Sequence, residues 1–391
     1  MRRNWLAGAV AALAAIGLAG ASEAQVTDTE IVIGTHLDLS GPVAAGMPQI
    51  RNGTQMRFDE VNEKGGIHGR KIRFIVEDNG SQPQLAVRAV DKLINSDKVF
   101  AIVNAFGSGP NAAVVKRAVD ARVIYFSPWG ASSVFRRISG NSPLLYTTIP
   151  DYDTTVGPAL AWAIDEFKAK KVGYIYQEGP FGDLVRGGVD AAMKAKGMTL
   201  AAEAGYKAGD IDFSSQVARM RAAGAELIMI ATITRETVGI MAEIKKIGWN
   251  DVKVMTAQPG RTMIVQQIGK QAVEGLYGVG SWNIFQAGKE PEAAKAWLAD
   301  FKRRFNLDAD ENGMLAYAYA DWFVKALDAA GKGLTTDTMK AALDKTTSDH
   351  MSFYGPRSFK NGHIDPEAIK IDMVKDGGWV SVTGIIPPMA R

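Results

Sequence analysis

The feature that most constrains this chain is a strand–helix alternation that begins near Ile31 and then starts a second time. Ile31, Ile33 and Thr35 alternate with Val32, Gly34 and His36 in a first strand. The spacing of Ile50, Phe58 and Val61 predicts a helix over 49–63, ended by Gly65-Gly66. Strands are expected at 72–77, 99–103 and 123–126, with helices at 84–94 and 111–119 between them. That rhythm means a parallel sheet covered by helices on both faces. After a helix at 155–167 it restarts, with strands at 172–176, 227–230 and 252–255 and helices at 182–196, 213–223 and 236–247. Three helical stretches follow, at 292–305, 315–330 and 336–343. The chain then closes with a hairpin, 369–374 with 379–385, turned at Asp376-Gly377-Gly378. Two sheets, then helices, then late strands imply that the chain passes between its two halves more than once.

The N-terminus reads as an export signal. Arg2 and Arg3 precede an apolar run from Trp5 to about Gly20, and Ser22 and Ala24 supply the small residues of a cleavage site after Ala24. The run is shorter than the roughly 20 apolar residues a spanning helix needs. The paired arginines also fit a twin-arginine route. Removing 24 of the 391 residues leaves 367, more than one hydrophobic core usually holds, so two domains are expected. The formal charge, +3, falls to +2 once Arg2, Arg3 and Glu23 are gone. Such a balance gives no reason to expect nucleic acid or an anionic membrane as partner. There is no cysteine, which excludes disulfides, thiol chemistry, a Cys-based metal site and lipid attachment at the signal. A freely diffusing periplasmic monomer is the expectation.

Ligands of open α/β sheets collect beyond the carboxyl ends of the strands. The loop after 99–103 reads Asn104-Ala105-Phe106-Gly107-Ser108-Gly109-Pro110-Asn111, and the loop after 123–126 reads Ser127-Pro128-Trp129-Gly130-Ala131-Ser132-Ser133. Glycines let backbone approach a ligand, serines offer hydroxyls, and a helix N-terminus attracts a carboxylate. The same residues also make ordinary helix-capping turns. Trp129 stacks on a ligand or packs between lobes; the sequence leaves both open.

Catalysis finds little support. Gly107-x-Gly109 lacks the third glycine of a dinucleotide fingerprint, and neither a Walker sequence nor a Gly-x-Ser-x-Gly elbow is present. His36, His68, His350 and His363 are scattered without metal-ligand spacing, so no metal or cofactor is expected. Asp151 and Asp153 form an acid–base pair in principle, but helix-capping aspartates in a crossover loop are the plainer reading.

Several segments together resemble the leucine/isoleucine/valine-binding family of periplasmic solute receptors, the type I class. They are Ile33-Gly34 with Leu39-Ser40-Gly41-Pro42, the run Val61 to Ile72, Asp78 before Gln84 and Ala86, Ser127-Pro128 with Gly130-Ala131-Ser132, and Gln177 to Gly182. Asp212-Phe213-Ser214, Glu274-Gly275 and Tyr354-Gly355-Pro356 complete the set. The resemblance spans essentially the whole mature chain. It implies two doubly wound α/β lobes joined by three crossovers: 25–149 with 281–352, and 150–280 with 353–391. It implies no enzyme, but capture of a small molecule by hinge closure and delivery to an inner-membrane ABC permease. By similarity, Ser108, Gly130 and Ser132 hold a ligand carboxylate, with Trp129 and Ala131 in the same loop. Tyr152 and Phe181 close over the ligand from the second lobe, where Thr232 and Gln258 also follow strands. The amino-acid receptors carry an acid near the position of Gln258, to pair the ligand ammonium. An amide lacks that charge, so a carboxylate ligand without an α-ammonium is expected, unless Asp151 supplies the charge. A ligand sensor of the same fold and a nucleotide-dependent enzyme are the competing readings.

Overall fold

A computed structural model describes residues 26–130, 133–286 and 288–387. The expected export signal, and Ala131 and Ser132 of the expected site, lie outside the described residues. The first half runs β1 (Glu30–Leu37), α1 (Met47–Glu63), β2 (Lys71–Asp78), α2 (Pro83–Asn95), β3 (Ala101–Val103), α3 (Ser108–Asp120), β4 (Ile124–Phe126), α4 (Ser133–Ile138) and β5 (Leu145–Tyr146). Its sheet has the order β2-β1-β3-β4-β5, and every pairing is parallel. The second half runs α5 (Tyr152–Phe167), β6 (Val172–Gln177), α6 (Pro180–Ala195), β7 (Ala202–Tyr206), α7 (Ser214–Ala222), β8 (Leu227–Ala231), α8 (Thr234–Lys246), β9 (Lys253–Thr256), α9 (Met263–Gly269) and β10 (Tyr277–Gly280). Its sheet continues into two late antiparallel strands, β13 (Lys370–Lys375) and β14 (Gly378–Ser381), in the order β14-β13-β10-β9-β8-β6-β7. Strands β3, β4 and β8 are buried along their whole length, which is why they read as continuous apolar runs rather than alternating ones.

Both lobes repeat one winding. Each starts in the sheet interior, moves one strand outward, then returns to the other side, so each has a reversal point where a crevice opens. In the first lobe that point lies between β1 and β3; in the second it lies between β6 and β8. Helices α10 (Glu292–Phe305), α11 (Glu311–Ala330) and α12 (Thr336–Leu343) return to the first lobe. There α11 packs on α1. A Cβ on Gly53 would sit 2.2 Å from the Gly313 carbonyl, so glycine is what lets these two helix backbones touch.

The chain crosses between lobes at 147–151, at 281–291 and at 366–369. The last crossing falls later than the sequence reading placed it. Strands β11 (Ser358–Lys360) and β12 (His363–Asp365) form a hairpin that packs on the first lobe. The Phe359 ring stacks on Trp322 with centroids 4.1 Å apart and meets Tyr146 edge-on at 5.0 Å. The Thr147 N–H donates to the Gly362 carbonyl at 2.8 Å. The hairpin, 358–365, therefore packs with the first lobe, because an aromatic at 359 completes the first core, while Tyr354 before it still meets Arg261 of the second lobe.

The first crossing is linked to the second through Gln258, and to the hairpin on its other side. Gln258 Nε2 donates to the Pro150 carbonyl at 3.3 Å, and Gln258 Oε1 accepts from Ser281 Oγ at 3.4 Å. On the other side, Ile364 N–H donates to the Thr147 carbonyl at 2.9 Å.

Candidate ligand-binding site

The loops at the first lobe's reversal point are set by a buried polar relay that the sequence did not announce. Asn79 Nδ2 donates to His36 Nδ1 at 2.8 Å, and His36 Nε2 donates to the Tyr125 hydroxyl at 2.8 Å. Tyr125 passes its own proton to Asn111 Oδ1 at 2.7 Å. That direction assigns His36 as the neutral Nε2–H tautomer. Burial agrees, lowering the His36 pKa to about 3. Asn111 Nδ2 then donates to the carbonyls of Trp129 at 2.7 Å and Ala105 at 3.1 Å. One relay thus clamps the loops after β3 and β4 together. The backbone adds Gly107 N–H to the Trp129 carbonyl at 2.9 Å and Trp129 N–H to the Ala105 carbonyl at 2.7 Å.

The clamp brings Ser108 and Gly130 close together. Gly130 has φ +127°, and a Cβ there would lie 2.8 Å from Ser108 N and 2.9 Å from Ser108 Oγ. Trp129 is buried: its ring meets Tyr319 of α11 edge-on at 6.1 Å, and Nε1 donates to Asn104 Oδ1 at 3.4 Å. Both of these contacts lie within the first lobe.

From the second lobe, Tyr152 and Phe181 come together edge-on at 5.4 Å, both buried. They open α5 and α6. Pro180, at the first position of α6, faces α3: a Cβ on Gly109 would lie 3.8 Å from Pro180 Cγ. Helices α3 and α6, of 13 and 16 residues, thus approach by their N-termini, with no side-chain bond from either N-cap residue, while the first turn of α5 lies beside the middle of α6, where a Cβ on Gly187 would meet Asp153 Cβ at 3.3 Å. Ser133 Oγ also donates across the cleft to Asp153 Oδ2 at 3.0 Å.

Thr232 and Gln258 are engaged by neighbours in the second lobe and, for Gln258, by the first turn of α5. Thr232 is fully buried, with its hydroxyl 2.6 Å from Thr237 Oγ1 and 3.4 Å from Thr256 Oγ1. Gln258 spends its amide N–H groups on Pro150 O and on Thr155 Oγ1 at 3.1 Å. In this arrangement it ties the crossings together and offers the cleft no N–H.

Asp151 does not cap α5 with its side chain. It is fully buried and forms an ion pair with Arg136. Burial raises its pKa, while His363 and Arg136 oppose the rise. Arg136 also donates to His363 Nδ1 at 2.8 Å, and His363 Nε2 bonds Glu367. Atoms of Asp151, His363 and Glu367 lie within 4.8 Å of one another, a spacing a metal ion could use. The Arg136 guanidinium already supplies the cation there. His363, far from Asp151 in sequence, reaches it only because the hairpin packs on the first crossing.

Comparisons with known proteins agree with this architecture. The Leu/Ile/Val-binding protein BraC3 of Rhizobium johnstonii is 25% identical over 331 residues, covering 85% of this chain and 88% of the relative. The fatty acid ABC transporter substrate-binding protein from Thermomonospora curvata matches with a TM-score of 0.80 at 24% identity, over 93% of each chain. An ABC transporter solute-binding protein from R. palustris, solved with benzoate, also matches with a TM-score of 0.80, at 18% identity over 93% of this chain and 98% of that one. Among the described residues no helix is long and apolar enough to cross a membrane. A family model described as periplasmic binding protein matches residues 30–377, and with its two doubly wound lobes and uncapped helix ends meeting at the cleft, the chain belongs to the periplasmic binding protein family.

Proposed function

We propose that this protein is the substrate-binding component of an ABC importer, working in the periplasm, that closes on a small organic acid lacking an α-ammonium. The observation that carries the reading is the approach of two helix N-termini across the cleft, those of α3 and α6, neither bonded by its N-cap side chain. Each presents unsatisfied N–H groups and about half a positive charge, which favours a carboxylate. Ser108 and Gly130 sit at that point, Ser132 belongs to the same loop, and Tyr152 and Phe181 form an apolar lid opposite. A ligand touching both lobes stabilises the closed arrangement over the open one, and so shifts the hinge equilibrium.

The two positions from which an ammonium partner was expected do not offer one. Position 258 is an amide committed to the crossings, and the Asp151 carboxylate is taken by Arg136. A buried ammonium without a counter-charge is costly. The relatives named for fatty acid and for benzoate bear the same fold, which is compatible with this ligand class. A thermal-shift panel of aromatic acids, aliphatic acids and branched-chain amino acids tests it. The expected result is stabilisation by acids; strong stabilisation by leucine or valine with none by any acid overturns it.

A further inference from the structure

Tyr152, the first residue of α5, stands between two acids, and one short helix of the other lobe holds both of them. Ser133 Oγ, at the start of α4, donates to Asp153 Oδ2 at 3.0 Å. One turn on, the Arg136 guanidinium pairs with Asp151. Helix α4 belongs to the first lobe, where it packs on α3 and buries Phe135 completely. Helix α5 opens the second lobe. The two bonds therefore join the lobes on either side of Tyr152.

Each partner is also fixed from behind. Asp153 Oδ1 accepts the Thr154 N–H at 3.0 Å, and α6 backs onto its Cβ at Gly187. The Asp151 carbonyl accepts the Thr155 N–H and the Thr154 hydroxyl, each at 3.0 Å. Arg136 Nη1 donates to His363 Nδ1 at 2.8 Å and to Thr147 Oγ1 at 3.4 Å. Little slack remains, so moving the start of α5 away from α4 breaks both cross-lobe bonds. Both are charge-assisted, and the fully buried Asp151 is poorly screened by salt. Helix α4 is six residues long and follows directly on the segment that carries Gly130 and Ser132. It thus links the loop expected to hold the ligand to the residue expected to cover it.

We infer that Ser133 and Arg136 are positioning residues for ligand capture: they clasp Asp153 and Asp151 and so hold Tyr152 toward the binding loop before a solute arrives. This rests on the closure reading above, but not on which solute fills the cleft. A clasp raises the fraction of molecules already competent to bind, and that fraction scales the apparent Kd of every ligand equally. A residue in contact with the ligand discriminates among ligands; a clasp residue does not.

The test reads the lobes directly. The chain has no cysteine, so Gln84→Cys and Lys207→Cys, at exposed positions after β2 and β7 on opposite lobes, accept spin labels without further change. Pulsed electron resonance then gives the interlobe distance in the full chain without ligand. Ser133→Ala and Asp153→Ala should each shift the distribution to longer distances, and the double variant should go no further than Asp153→Ala alone. Arg136→Lys, which keeps the charge but loses the fork, should shift it less than either. Ser133→Ala leaves Asp151 paired, so it carries the test if Arg136→Lys folds poorly. Calorimetric titration with benzoate, hexanoate and leucine completes it: each one that the wild type binds should weaken by one common factor in Ser133→Ala, roughly threefold or more. Unchanged ligand-free distances in Ser133→Ala and Asp153→Ala overturn the clasp, as does a loss that differs severalfold between two ligands, which places Ser133 against the solute. Leucine binding with no binding of either acid overturns the organic-acid reading and leaves the clasp standing, because the ligand-free distances decide it.

Discussion

Tyr125→Phe deletes one oxygen from the first lobe and nothing else. That oxygen accepts from His36 Nε2 at 2.8 Å and donates to Asn111 Oδ1 at 2.7 Å. His36, Asn111 and Tyr125 are all fully buried, so water does not replace it. A buried donor or acceptor left unmet costs about 1–3 kcal/mol, so the pair costs about 2–6 kcal/mol. The shape change is one hydroxyl, which keeps the packing contribution small. The loss should also be local. Asn111, without its anchor, holds the Trp129 and Ala105 carbonyls less firmly, and the loops after β3 and β4 part more often. Urea unfolding of wild type and variant at neutral pH measures the global term. Native-state amide exchange at Gly107 and Trp129, whose N–H groups bridge the two loops, measures the local one. At least a tenfold faster exchange is expected, which corresponds to about 1.4 kcal/mol. A variant within about 0.5 kcal/mol of the wild type, the range of an ordinary surface change, with unaltered exchange at both amides, refutes the relay.

Other substitutions probe the cleft and its charges. Gly130→Ala places a Cβ 2.8 Å from Ser108 N at φ +127°, so acid binding should weaken at least tenfold, as isothermal titration would show; undiminished affinity removes Gly130 from the site. Trp129→Ala leaves a cavity beside Tyr319 that should cost about 3–5 kcal/mol in urea unfolding, and ligand affinity should fall tenfold or more; unchanged affinity would make Trp129 a packing residue only. Burial raises the Glu311 pKa from 4.5 to about 8, so the folded chain keeps a proton that the unfolded chain releases. Stability from this group is complete below about pH 4.5 and declines as pH rises toward 8. His36 works in the opposite sense, but only between about pH 3 and its ordinary 6.5. Melting temperatures between pH 6.5 and 8 therefore isolate Glu311, and Glu311→Gln should flatten the decline there; an equal slope in both proteins counts against it.

Much of the fold was legible because its signals are local. Apolar runs such as Leu227–Ile230 and the four-residue spacing of Val185, Val189 and Met193 mark buried strands and amphipathic helices without reference to the rest of the chain. Strand β7, Ala-Glu-Ala-Gly-Tyr, was not, since alanine, glutamate and glycine carry no strand preference and only pairing with β6 fixes it. Strand β5, two residues long, is too short to show a period. In the site, the Gly/Ser loops were readable as loops, because glycine and serine after a strand have few other uses. The relay was not, because His36, Asn79, Asn111 and Tyr125 come from four separate elements, and nothing near any of them names the others. Asp151 misled in the other direction. It stands where an aspartate caps a helix, yet its charge goes to Arg136, which no local pattern foretells.

The first crossing is linked to the second through Gln258 and Ser281, and on its other side it is bonded to the hairpin that leads into the third. Three tethers fixed to one another act as a strap rather than as three strings. Such a strap bends about its width and resists twisting, so the two lobes retain essentially one degree of freedom relative to each other. A solute entering the cleft then has little orientational search left to suppress on closure.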